Sequence, residues 1–143
     1  MSKNNIVLRM PKLPFATYPR PIIRVAIPTK KDPSLRNIYF ALIDTGANMC
    51  AISNAIIQEI DARITGEIDN ELIDGTKYKS PEYTANMYLL DMEGNAIYDI
   101  FSQMKASVID ITNKPFQLII GQNALDRLVL RYDGPTREFT LEF

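Results

Sequence analysis

One tetrapeptide constrains this chain more than any other feature: Asp44-Thr45-Gly46-Ala47, at the end of the apolar run Ile38-Tyr39-Phe40-Ala41-Leu42-Ile43. A strand that ends in a carboxylate and then turns at glycine presents that carboxylate at its C-terminal edge. Ordinary residue usage would produce Asp-Thr-Gly by chance in roughly 3% of chains this long, so the strand in front of it matters as much as the tripeptide. The arrangement occurs once. A pair of such carboxylates therefore needs two copies of the chain.

Composition narrows the chemistry further. The 143 residues suffice for one domain with a true core, and 46% apolar with 23% charged residues is ordinary for a soluble protein. A formal net charge of −1 offers no basic face for nucleic acid. No apolar stretch reaches the length of a membrane span. Residues 1–5 lack the apolar core of a signal peptide. Cys50 is the one cysteine, which fits a reducing, cytoplasmic setting. Histidine is absent, so histidine-based nucleophilic mechanisms lose their base, and a zinc site has neither imidazoles nor enough thiolates. Acid–base work falls to carboxylates, lysine or tyrosine. No metal or organic cofactor is expected.

Along the chain, residues 1–21 hold four of the nine prolines and read as an extended arm, with a short strand at Ile6-Val7-Leu8. Residues 22–143 read as a single domain. Strands are expected at 22–27 and 38–43. The spacing of Ile56, Ile57, Ile60 and Ile64 predicts a helix that starts at Ser53 as N-cap and stops at Gly66. Asp74-Gly75 marks a hairpin turn within 72–83, Pro81 an edge or bulge, and Glu93-Gly94-Asn95 a second turn. Short strands are expected at 108–111 and 117–120, a short helix at 122–127, and a last hairpin of 128–132 with 138–143, where Phe139, Leu141 and Phe143 alternate with polar residues. The sum is mainly β with one or two short helices.

Two carboxylates a few ångströms apart cannot both ionise, so one keeps a proton. The ionised member takes a proton from water while the protonated member donates to a carbonyl oxygen, and the two titrate as a pair. In that scheme Asp44 is the catalytic carboxylate. Gly46 brings its amide near it. The Thr45 hydroxyl braces the partner loop across a two-fold axis, and Ala47 leaves room for substrate.

A second motif, Leu118-Ile119-Ile120-Gly121-Gln122-Asn123-Ala124-Leu125, completes a pattern. With it the chain resembles the retropepsin-like aspartic peptidases, which pair an Asp-Thr-Gly-Ala loop with a downstream apolar-apolar-Gly segment leading into a short helix with Asn. The resemblance covers about residues 22–143 and is concentrated in these two motifs. It implies an acid-protease barrel with one lobe per chain, and a homodimeric endopeptidase acting on an extended polypeptide. Ile119, Ile120, Gly121 and Asn123 would buttress the Asp44 loop. Asp74, Gly75 and Thr76 would form the tip of a flap over the substrate, although a plain surface hairpin fits the same residues. Viral members carry an acidic residue and an arginine where this chain has Asn48 and Gln122. Both charges are gone together, and two amides can still hydrogen-bond. Cys50, with no basic neighbour in sequence, reads as a small buried hydrophobe. A competing reading of the whole chain is a catalytically silent peptide-binding or dimerisation module.

Overall fold

A computed structural model describes residues 6–11, 20–91 and 93–143. The expected arm therefore lies partly outside the described residues. Ten strands and one helical turn follow in the order β1 (Val7–Pro11), β2 (Ile22–Pro28), β3 (Arg36–Ile43), β4 (Cys50–Ser53), β5 (Ala62–Glu71), β6 (Lys77–Leu90), β7 (Ile97–Ile109), β8 (Leu118–Ile120), α1 (Gln122–Leu125), β9 (Val129–Asp133) and β10 (Glu138–Glu142).

The larger sheet runs β2-β3-β8-β4-β7-β6-β5, and a further β2–β6 pairing closes its first six strands into a barrel. β5 is left as an extension that pairs with β6 alone. Period-two alternation makes this closure favourable. Ile23, Val25 and Ile27 of β2 and Tyr39, Ala41 and Ile43 of β3 all point into one core, where they meet Leu118, Ile120, Ile52, Met87 and Phe101. Each fully buried Ile, Val, Leu, Met or Phe among them is worth about 1.5–3 kcal/mol. Closure also pairs the barrel strands on both sides and leaves β5 as the edge of this sheet.

The second sheet is three-stranded, in the order β1-β10-β9. Phe139 and Leu141 of β10 are fully buried and belong to the same core as the barrel. Leu8 of β1 lies opposite Leu141 and packs against that core. The strand expected near residue 6 thus begins at Val7 and is docked antiparallel on β10.

The predicted helix over 53–66 does not form. Its first part is a series of tight turns, with the Ile56 N–H donating to the Ser53 carbonyl (3.1 Å) and the Glu59 N–H to the Ile56 carbonyl (3.0 Å). The chain is then captured by the end of β2. Lys30 N–H donates to the Glu59 carbonyl and Asp61 N–H to the Pro28 carbonyl, and Ile60 bridges Thr29. Turns bury Ile56 and Ile60 as a helix would, which is why the spacing misled. Ile64 breaks the pattern, being 64% exposed on β5. β-Branched isoleucines also gain more from strands than from helices. Gly66 is no helix stop. It stands at a register shift in β5, opposite Glu82.

Elsewhere the differences are of length. The strand expected at 108–111 is the end of the long β7, and Asp110 instead closes a turn by accepting from the N–H and hydroxyl of Thr112. Pro81 lies where β6 pairs with β5 but has not yet reached β7, so no ladder bond is lost on that side. The short helix is a single turn, Gln122–Leu125. No helix among the described residues is long and apolar enough to cross a membrane.

Candidate active site

β3 delivers Asp44. Its last three residues pair in parallel with β8, as Ala41 with Leu118, Leu42 with Ile119 and Ile43 with Ile120. The ladder ends with the Asp44 N–H donating to the Ile120 carbonyl at 3.0 Å. β8 is itself held on its other side by β4, where Ile119 faces Ala51. The carboxylate therefore leaves the barrel from between two clamped strands.

The next residues form a tight loop around that carboxylate. The Gly46 N–H donates to Asp44 Oδ1 at 2.9 Å, and the Ala47 N–H to the Asp44 carbonyl at 3.2 Å. A Cβ at position 46 would stand 3.3 Å from Asp44 Oδ1. Glycine relieves this tight contact, and its φ is not among the positive values of the described residues. Asp44 is half-buried, and Thr45 and Gly46 are exposed.

The downstream motif clasps the loop from outside. A Cβ at Gly121 would fall 2.5 Å from both the carbonyl carbon and oxygen of Met49, and 2.9 Å from the Ala47 oxygen. No other residue fits there without moving backbone. Past it, the Gln122 N–H donates to the Ala47 carbonyl (2.8 Å) and the Asn123 N–H to the Asn48 carbonyl (3.2 Å). The Asn123 side chain then joins three segments. Its Oδ1 accepts from the Cys50 N–H (2.9 Å), and its Nδ2 donates to the Lys105 carbonyl (2.8 Å). Ile119, Ile120, Gly121 and Asn123 are thus brought against Asp44, Thr45, Gly46 and Ala47.

Gln122 is the residue whose place the sequence did not disclose. Its amide nitrogen donates to the Thr45 carbonyl at 2.8 Å. Within the single chain Gln122 turns its side chain to the loop backbone, and Asn48 contributes its carbonyl to Asn123. Cys50 is fully buried, and burial pushes its thiol up from the usual range. It packs as a small apolar residue, as its sequence context suggests.

Asp74, Gly75 and Thr76 are not part of this cluster. They form the tip of the β5–β6 hairpin, where the Leu72 N–H donates to the Thr76 carbonyl and the Thr76 N–H to Asp74 Oδ1. That backbone bond holds the Asp74 carboxyl below its ordinary range. Gly75 sits at φ 86°, a conformation other residues enter at a cost. Ile73 beside it is wholly exposed. A concavity of about 480 Å3 on the same hairpin is lined by Asp69, Asn70, Glu71, Lys77, Tyr78 and Lys79, so Tyr78 belongs to the hairpin surface and not to the core.

No family model matches the chain, and no curated protein matches it in sequence. Among solved structures it is similar to a retropepsin-like aspartic protease from Rickettsia conorii. The TM-score is 0.60 at 14% identity, over 100% of this chain and 97% of that one. At that identity the likeness concerns the fold. The chain is a mainly β protein with a retropepsin-like barrel.

Proposed function

We propose that the chain is an aspartic endopeptidase that works as a homodimer, with Asp44 of each subunit forming one carboxylate pair. The observation that carries this is the placement of Asp44. Its backbone is fixed by β8, one of its oxygens is held by Gly46, and its loop is half-open to solvent, on a barrel shared with a peptidase. Two such loops meeting at a two-fold axis would hold one water between their acids. One carboxylate takes the water's proton as the oxygen attacks the peptide carbon, and the other donates to the carbonyl oxygen. The Thr45 hydroxyls, exposed in the single chain, are free to brace the opposite loop. An extended polypeptide would lie under the two β5–β6 hairpins, with Asp74, Gly75 and Thr76 closing over it.

In this reading residues 22–143 are the catalytic domain, residues 1–21 an arm docked through β1, and the setting cytoplasmic. The test is Asp44→Asn against a peptide library from mildly acidic to neutral pH. The wild type should cleave, and the variant should lose all cleavage while keeping its dimer and its affinity for peptide. A wild type that binds peptides and cleaves none would make the chain a binding module instead.

A further inference from the structure

The Thr45–Gly46 peptide group is held at both ends. Its N–H donates to Asp44 Oδ1 at 2.9 Å, and its C=O accepts from Gln122 Nε2 at 2.8 Å. A trans peptide is planar, with its C=O and N–H pointing in opposite directions. Anchoring the oxygen on one side therefore aims the hydrogen on the other. Hydrogen bonds in a chain also polarise one another, so a donor on the carbonyl strengthens the N–H as a donor.

The Ala47 N–H to Asp44 carbonyl bond closes the turn around this peptide, but turns that differ by a flip of the central peptide share that bond. Thr45 and Gly46 are exposed, and glycine reaches the backbone conformations of either orientation. Gln122 can do the work because it is itself immobilised. It follows Gly121, which is wedged against Met49, and its own N–H is bound to the Ala47 carbonyl. One residue thus grips the loop at two carbonyls, by backbone at Ala47 and by side chain at Thr45. The charged groups nearby are engaged elsewhere: Arg127 donates to the carbonyls of Ile100 and Ser102, and Lys105 pairs with Glu82.

We propose that Gln122 is a positioning residue, which orients the Thr45–Gly46 peptide so that its N–H is presented to the Asp44 carboxylate. Its consequence for turnover rests on the peptidase reading; its geometry does not. Gln122→Met keeps the shape and removes the donor, and Gln122→Arg returns an N–H donor of similar reach. Both are surface substitutions and should fold.

The full-length chain is followed by proton–nitrogen NMR and by peptide cleavage. In Gln122→Met the Gly46 amide proton should move upfield and exchange about ten-fold faster, while the amides of Gln122 and Asn123 keep their protection. kcat should fall about ten-fold with KM and the dimer dissociation constant unchanged. Gln122→Arg should restore both the amide and kcat. A Gly46 amide that is the same in wild type and Gln122→Met overturns the inference, as does a displaced amide with kcat unaffected. A wild type that cleaves nothing defeats the peptidase reading by itself, and the Gly46 amide still decides whether Gln122 sets the loop.

Discussion

The Asp44 loop and the tip of the β5–β6 hairpin both turn at glycine, yet they are held in opposite ways. The loop is bound by partners distant in sequence: β8, Gln122 and Asn123, with Asn123 reaching on to Cys50 and Lys105. The tip is held only by its own residues, with Leu72, Asp74 and Thr76 bonding among themselves. Gly121 is required by contact and Gly75 by backbone conformation. The loop is thus tied into the fold, whereas the tip's local bonds can open without disturbing the rest of it.

Substitution of the two glycines should separate the cases most sharply. Gly121→Ala places a methyl on Met49 backbone and should cost on the order of 3 kcal/mol or more, seen as a large drop in thermal midpoint. Retained stability would mean that the clasp is looser than its distances imply. Asn123→Ala strands the Cys50 N–H and the Lys105 carbonyl and should cost about 2 kcal/mol in denaturant unfolding. Gly75→Ala has open space around it and should cost only about 1 kcal/mol of backbone strain. If it cost as much as Gly121→Ala, the hairpin tip would be more tightly built than its local bonds suggest.

The smallest effect is one of pH. The Thr76 N–H lowers the Asp74 carboxyl below the 3.8 of an unconstrained aspartate, so its contribution is complete above that value and is lost as pH falls through the lowered one. Gln122 and Asn123 carry no titratable group. Acidification should therefore lower the protection of the Thr76 amide, measured against its intrinsic exchange rate at each pH, while the Cys50 and Asn123 amides stay protected, and Asp74→Asn should remove the Thr76 response.

Much of this was legible in the sequence because the signals were local. The strand leading to Asp44, the Asp74-Gly75 turn, the helical turn after Gly121 and the alternation of Phe139 and Leu141 each depend on a few neighbouring residues. The segment 53–66 was not legible. Isoleucines at three- and four-residue spacing suit a helix face, and only the pairing of Ile60 with Thr29, far away in the chain, decides for turns and a strand. Gln122 was hidden for a similar reason. Its role appears when β3 and β8 lie side by side, which brings its amide within reach of Thr45.

The account depends on one site being made from two chains, and subunit mixing tests that most directly. Wild type and Asp44→Asn are combined in equal amounts, allowed to exchange subunits, and assayed for peptide cleavage against the same total of wild type. If each site needs an acid from both chains, about a quarter of the activity should remain. About half remaining would show that each chain cleaves alone, and would contradict the shared pair.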